Sequence, residues 1–186
     1  MEKKVELTKD LLAVSFIELM KKYPFEKITI KMITDGAGVI RPTFYNYYQD
    51  KIELLQECVE NRLFKSMRDL VDTNMGKEAF KMLFLKMESN EKFYKNAFKI
   101  QENQYFKDMF VDNIKQLIIL YFEKNNTNIQ NINIETVSKF YALSITSVLY
   151  YWLFEGRDNF SAEELAKAFD FFLTNSIIDI IEKNQE

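Results

Sequence analysis

The sequence predicts an all-α fold for a chain of 186 residues. Only four glycines and two prolines interrupt the chain, and long stretches rich in Lys, Glu, Leu, Phe and Ile lie between them. Apolar side chains recur in these stretches at the three- and four-residue spacing of one helix face, without the strict alternation of a half-buried strand. Hydrophobic residues make up 47% of the chain, which is enough for a core that needs no disulfide or metal.

The first helix is predicted from about Thr8 to Tyr23. It ends before Pro24, because a proline ring does not fit the interior of a helix. Its buried face is predicted to consist of Leu12, Phe16, Leu19, Met20 and Tyr23.

A sharp turn separates the second helix from the third. The second is predicted over Ile30 to Gly36, with the Thr29 hydroxyl as its N-cap. Gly38 supplies the left-handed backbone that a tight helix-to-helix turn requires. The third helix, from about Arg41 to Tyr47, has Pro42 in its first turn, where a missing N–H costs nothing.

Longer helices are predicted beyond this turn. Asp50 caps a fourth helix that reaches about Leu70, and further helices are predicted near 77–89, 91–99, 103–124, 134–155 and 161–183. The sequence thus divides into residues 1–50, a connecting helix over 50–70, and residues 71–186.

Local signals mark the boundaries of the last helices. Ser161 and Glu164 form a capping box at the start of the final helix, and Gly156 ends the helix before it. The asparagine-rich stretch 125–133 is predicted to be a loop.

Charge and composition narrow the function classes. Residues 1–55 carry nine Lys/Arg against eight Asp/Glu, a net charge of +1, and the remainder carries 16 against 20, a net charge of −4. This balance suits a protein that meets a polyanion at one end only. The chain has no histidine, which removes the commonest general base and metal ligand, and Cys58 is its only cysteine. With no secretory signal and no apolar run near ~20 residues, the chain is expected to be cytoplasmic.

The second and third helices have the spacing of a helix-turn-helix. Such a pair can place its second helix in the major groove of DNA. Arginine and asparagine side chains can pair with base edges, whereas threonine and tyrosine hydroxyls can bind phosphates. The third helix offers such side chains at Arg41, Thr43, Tyr45, Asn46 and Tyr47. Lys51, at the free N–H groups of the next helix, is a candidate phosphate clamp. A small three-helix bundle without a nucleic-acid role is the alternative.

The segment Ile28–Leu55 resembles the DNA-binding domain of the tetracycline-repressor (TetR) family. The resemblance covers about residues 8–60 and depends on Ala37-Gly38-Val39, Thr43-Phe44-Tyr45, Tyr47-Tyr48, Asp50-Lys51 and Leu54-Leu55. It implies an N-terminal three-helix DNA-binding domain followed by a C-terminal helical bundle for ligand binding and dimerisation. It also implies a homodimer on a near-palindromic operator of double-stranded DNA.

The resemblance assigns roles by position. It makes Thr43, Tyr45, Tyr47 and Lys51 contacts to the DNA backbone. Positions that meet bases in some members are occupied by Lys31, Arg41, Pro42 and Asn46, and Thr29 completes the candidate set. Two residues depart from the family pattern. Ile40 replaces the usual polar cap of the third helix, and Gly36 replaces a helix-favouring residue.

The larger domain is rich in aromatic and methionine side chains, which suit a small apolar or aromatic effector. The candidate pocket residues are Phe84, Met87, Tyr94, Phe98, Phe106, Met109, Phe110, Tyr121 and Tyr141. Plain core packing is the alternative for each of them. No cofactor is expected.

The last two helices are apolar on more than one face, which predicts more than one neighbour for each. The candidate dimer residues are Tyr151, Trp152, Phe169, Phe172, Leu173, Ile177 and Ile180.

The sequence therefore predicts a ligand-responsive regulator, with repression favoured, whose effector shifts the fourth helix. An activator, or a regulator controlled by a protein partner, is the alternative. A more distant alternative is an all-α carrier or enzyme, whose candidate carboxylates (Glu88, Glu91, Glu102 and Asp108) have ordinary surface spacing.

Overall fold

The computed structural model describes residues 2–100, 105–125, 133–156 and 159–174. Within these ranges the chain forms helices joined by turns, as the composition predicts. The helices are α1 (Glu2–Met20), α2 (Ile30–Ala37), α3 (Arg41–Tyr45), α4 (Lys51–Val59), α5 (Lys65–Asp72), α6 (Gly76–Ser89), α7 (Glu91–Phe98), α8 (Tyr105–Lys124), α9 (Ile134–Tyr151) and α10 (Ala162–Thr174). A π-helical turn, Glu60–Phe64, joins α4 to α5, and a second, Trp152–Gly156, continues α9.

The described residues divide into two compact units. The first comprises those of Met1–Ser66 and Asn90–Ile114, and the second those of Met67–Ser89 and Lys115–Glu186. The helix-turn-helix belongs to the first unit. None of the helices described is long and apolar enough to cross a membrane.

Helix α1 ends at Met20, so the predicted end at Tyr23 is wrong. The Asn96 side-chain amide donates to the carbonyl oxygens of Met20 (2.9 Å) and Tyr23 (2.6 Å), while its Oδ1 accepts from the Phe25 N–H (2.9 Å). Asn96 therefore satisfies the Met20 carbonyl, which Pro24 cannot pair because it has no N–H, and also the Tyr23 carbonyl. Tyr23 is 44% exposed, although the predicted stripe buried it.

The caps of α2 and α4 confirm the sequence prediction. The Thr29 hydroxyl accepts from the Met32 N–H at 3.2 Å, and Asp50 accepts from Ile52 and Glu53 at 2.7 and 3.0 Å. Each bond spans two or three residues, so the local sequence suffices to predict it.

Gly36 lies where α2 passes close to α1. A Cβ atom built at this position would lie 2.3 Å from the Ser15 Oγ. That hydroxyl is buried and donates to the Ile33 carbonyl at 2.8 Å. From the sequence alone, Gly36 is only a residue of low helix propensity. In the fold, its missing Cβ atom allows α1 and α2 to pack closely.

Aromatic side chains fill the core of the first unit. Phe64, Phe98, Phe106 and Phe110 lie with their ring centroids 5.0 to 6.0 Å apart, the spacing of favourable aromatic pairs. Cys58 is also buried here, and burial raises the pKa of its thiol to about 12. The thiol is therefore protonated and unreactive near neutral pH.

The second unit is organised around α6 and α10. The Phe169 ring packs against Phe80 and Phe84, with centroids 5.1 and 5.8 Å away. Trp152 is fully buried, and its indole N–H donates to the Phe160 carbonyl at 2.7 Å.

The predicted boundaries of the later helices agree with the structure where it describes them. The capping box is confirmed, because the Glu164 N–H donates to Ser161 Oγ (3.2 Å) and the Ser161 N–H donates to Glu164 (2.8 Å). The pKa of Glu164 is lowered by these hydrogen bonds, chiefly the one from the Ser161 backbone. Most of the predicted loop 125–133, and the predicted helix beyond Thr174, lie outside the described residues.

Candidate nucleic-acid interface

Three residues, Gly38 to Ile40, connect α2 to α3. Gly38 has a φ angle of 68°, the left-handed conformation predicted for it. The Gly38 N–H donates to Asp35 and the Val39 N–H donates to Thr34, at 3.2 and 3.0 Å. This Schellman pattern satisfies the last carbonyls of α2 and turns the chain abruptly into α3.

Buried aromatic residues hold α3 against the unit. Phe44 is fully buried and packs against Tyr45 and Tyr48, each with ring centroids 5.5 Å away. The Tyr48 hydroxyl donates to Glu57 at 3.0 Å, and Lys9 binds the other oxygen of the same carboxylate at 2.7 Å. Burial, with the Glu57 charge beside it, raises the pKa of Tyr48, so the phenol remains a hydrogen-bond donor.

The turn after α3 explains why this helix ends at Tyr45 and not at the predicted Tyr47. Tyr47 and Tyr48 both donate their backbone N–H to the Phe44 carbonyl, at 3.0 Å. The chain thereby turns inward and buries Tyr48.

The opposite face of α3 carries candidate DNA contacts. Arg41, Pro42, Tyr45 and Asn46 are exposed, while Thr43 is half-buried. The Arg41 guanidinium donates to the Tyr45 hydroxyl at 3.0 Å and lies 5.5 Å from the ring centroid. The pair forms a polar ridge with donors that can reach a base edge or a phosphate.

The remaining candidates precede α2, lie on it or follow α3. Thr29 and Lys31 are exposed at the start of α2, and Lys31 forms a 2.5 Å ion pair with Asp35. Tyr47 is half-buried after α3. An exposed ion pair of this kind contributes little to stability, so Lys31 can exchange its partner for a phosphate at small cost.

Lys51 makes contacts that its sequence position does not indicate. Its Nζ donates to the carbonyl oxygens of Phe25 (2.6 Å) and Ile28 (3.0 Å), and it lies 4.2 Å from the centroid of the Phe25 ring. The lysine therefore fastens the segment between α1 and α2 to the start of α4. Both carbonyls come from residues more than 20 positions earlier in the chain, so local pattern cannot reveal them.

Ile40 is a residue whose exposure sequence reasoning missed. It is the N-cap of α3, makes no side-chain capping bond, and is 70% exposed. The sequence identifies it only as an absent polar cap.

The candidate pocket residues fall in both units. Tyr94, Phe98, Phe106, Met109 and Phe110 belong to the first unit, where most are packed in its aromatic core. Phe84 and Met87 are buried in the second unit.

Tyr121 and Tyr141 line a cavity of about 230 Å³ in the second unit. Its other walls come from Gly76, Lys77, Phe80, Ile118, Phe122, Ile145 and Phe169. Gly76 has no Cβ atom, which leaves room for the Tyr121 ring beside it.

The candidate dimer residues differ in exposure. Tyr151 and Phe172 are exposed, whereas Trp152 and Phe169 pack within their own unit. Nothing is described of the Leu173 side chain, and Ile177 and Ile180 lie outside the described residues.

A short helix held by buried aromatic residues, with polar side chains outward after a glycine turn, defines a helix-turn-helix DNA-binding protein. Residues 17–58 match the family described as "Bacterial regulatory proteins, tetR family", and residues 74–175 match "Transcriptional regulator C-terminal region". The chain belongs to the TetR family of transcriptional regulators.

Relatives that this chain resembles are regulators as well. The "HTH-type dhaKLM operon transcriptional activator DhaS" of Lactococcus lactis is 29% identical over 127 residues, which is 67% of each chain. The solved structure of "Dihydroxyacetone kinase operon activator DhaS" matches 90% of this chain and 94% of its own, with a TM-score of 0.70 and 22% identity. A TetR regulator from Streptococcus agalactiae matches the same shares with a TM-score of 0.66 and 23% identity. These two structural matches support the fold.

Replacing Lys51 with methionine is expected to destabilise the protein in the absence of DNA. The substitution keeps an unbranched apolar chain but removes two hydrogen bonds from a charged donor. Each hydrogen bond that involves a charged group contributes about 1.5–3 kcal/mol to stability. Urea unfolding followed by circular dichroism measures the change.

Lys27→Met is the matched control, because Lys27 is an exposed lysine in the same segment. It should leave the midpoint of unfolding unchanged. If Lys51→Met unfolds like the wild type but lowers the salt dependence of DNA binding by about one phosphate per protomer, Lys51 acts as the phosphate contact that the sequence predicts.

Proposed function

We propose that this regulator binds a near-palindromic operator as a homodimer, and that a small effector makes it release the operator or bind it more tightly. The observation that carries the DNA-binding part is the exposed ridge of Arg41 and Tyr45 on a helix anchored by buried Phe44. A polar ridge on a well-packed helix suits base and phosphate contacts, because its side chains lose little conformational freedom on binding.

The DNA contacts we propose are the outward side chains of this region. Arg41 and Asn46 are suited to purine edges, and Thr43, Tyr45 and Tyr47 to phosphates. We include the exposed residues Thr29, Lys31 and Pro42 in this set, and Lys51 supports the segment that precedes α2.

The exposed face of α9 is the evidence for the proposed dimer. Phe140, Ser144, Ser147 and Tyr151 follow one another at helical spacing, and all four are exposed. Phe140 is 69% exposed, and the neighbouring Leu143 and Val148 are about half exposed. An apolar stripe with small residues at its centre suits a second helix packed against it. A two-fold axis through such a stripe makes each protomer contact the same surface of its partner.

The cavity of the second unit is the evidence for the proposed small effector. At about 230 Å³ it is smaller than the roughly 300–1,000 Å³ typical of drug-sized ligands, which favours a compact molecule. Its walls are apolar and aromatic, with Lys77 at the edge in a 2.8 Å ion pair with Asp170. A ligand that binds one conformation better by about 1–3 kcal/mol changes DNA affinity about 5- to 150-fold.

Activation of transcription is a second candidate, since the Lactococcus lactis relative is named as an activator. Repression and activation change transcription from the target promoter in opposite directions. Deleting the gene raises transcription from the target promoter if the protein represses it and lowers transcription if the protein activates it.

Replacing both Arg41 and Tyr45 with alanine is expected to abolish DNA binding, because the ridge loses its charge and its hydroxyl. Fluorescence anisotropy with labelled DNA from upstream of the protein's own gene measures the affinity. Both side chains are exposed, so the helical content should not change. Tyr23→Ala, an exposed tyrosine of the same unit, is the matched control and should bind normally. Equal affinity of the double variant and the wild type contradicts the proposed interface.

Replacing Ser147 with arginine is expected to produce a monomer, because the new charge lies at the centre of the α9 stripe. Sedimentation velocity distinguishes monomer from dimer at micromolar concentration. Leu85→Arg, on the exposed face of α6 in the same unit, should remain dimeric. A Ser147→Arg variant that sediments as the wild type excludes this surface as the interface.

Indole is expected to bind the cavity, since a cavity of about 150 Å³ already accepts benzene in another protein. Binding should raise the melting temperature in proportion to the logarithm of indole concentration. Ile145→Trp fills the cavity and should remove the effect, whereas Phe172→Trp adds the same ring at an exposed site and should not. An unchanged response in Ile145→Trp places the indole elsewhere.

A further inference from the structure

Ile40 has the largest exposed fraction among the large apolar side chains whose burial the structure describes. Its exposed fraction is 70%, compared with 69% for Phe140 on α9. An isoleucine in water gains nothing from the hydrophobic effect. Its side chain is therefore not explained by the packing of its own unit.

The local fold does not need an isoleucine here either. Ile40 is the N-cap of α3, with extended backbone angles of −85° and 151°, and its carbonyl accepts from the Thr43 N–H at 2.9 Å. Ser, Thr, Asn or Asp would add a capping bond at this position, whereas the Ile40 side chain makes none. The residue is a poor choice for helix stability.

The position of Ile40 next to the recognition helix gives a reason for an apolar residue at this site. It stands directly before the first turn of α3, and the N-terminal residues of a recognition helix are those that meet base edges. The next residue, Arg41, is turned along the helix toward Tyr45 by a 3.0 Å hydrogen bond. Ile40 and Pro42, the residues on either side of Arg41 in the chain, are both apolar and both exposed.

Thymine alone presents an apolar group in the major groove, its 5-methyl group. Isoleucine has no donor or acceptor, so among base edges a thymine methyl is the group it can favour. We propose that Ile40 contacts a thymine methyl group in each half-site of the operator and makes the protein prefer thymine there. This inference rests on the proposed DNA-binding function.

Deoxyuridine scanning tests the contact, because uracil differs from thymine only in lacking the methyl group. Each thymine of the footprinted DNA upstream of the protein's own gene is replaced singly by uracil, and affinity is measured by fluorescence anisotropy. One position in each half-site should lower wild-type affinity by about 4-fold, the equivalent of about 0.8 kcal/mol for one buried methyl-sized group. Replacing both should lower it by about 15-fold.

Variants of Ile40 assign the effect to this side chain. Ile40→Ala should bind thymine and uracil DNA equally, and Ile40→Val should show an intermediate difference. Val14→Ala removes an exposed apolar side chain from α1 of the same unit and should retain the full difference.

Two results overturn the proposal. One is a wild-type protein whose affinity for the footprinted DNA is unaffected by uracil at every thymine position. The other is an Ile40→Ala variant that retains the wild-type difference, which would assign the methyl contact to another residue. Absence of any footprint contradicts the proposed function together with this inference, so the two failures are distinguishable.

Discussion

The left-handed backbone at Gly38 fixes the direction in which α3 leaves α2. Its φ angle of 68° places the Val39 N–H on the Thr34 carbonyl, and the chain then turns within three residues. A side chain with a Cβ would be strained in this conformation. The turn presents one face of α3 to solvent and the other to the core, where Phe44 is fully buried. Every candidate DNA contact on α3 depends on this division.

Polar side chains from elsewhere in the first unit stabilise the segments around the helix-turn-helix. Asn96 ends α1, Lys51 fastens the segment before α2, and Glu57 joins Tyr48 to Lys9. Each replaces water at backbone or side-chain groups that would otherwise lose a partner on burial. These hydrogen bonds hold the segments around α3 in place, although α3 itself has only five residues and could not be stable alone.

The aromatic residues of this chain lie in two different environments. Those at Phe64, Phe98, Phe106 and Phe110 close the core of the first unit. On α9, by contrast, Phe140 and Tyr151 remain exposed, on the stripe that we propose as the dimer contact. The same amino-acid types thus lie in an interior in one place and on the surface in another, and burial alone distinguishes the two.

The sequence by itself determined the features whose causes are local. Thr29, Gly38, Asp50 and the Ser161–Glu164 capping box could be assigned because each hydrogen bond or backbone angle involves residues at most five positions apart. The resemblance over Ile28–Leu55 added the family, since its spacing is specific.

Only the tertiary structure decided the features that join distant parts of the chain. Asn96 lies 71 residues beyond Phe25, and Lys51 lies 26 residues beyond it, so no local pattern indicates either contact. The use of Gly36 for packing against Ser15, and the exposure of Ile40, likewise depend on which neighbours the fold supplies. Periodicity specifies which face of a helix is apolar, but burial depends on what packs against that face.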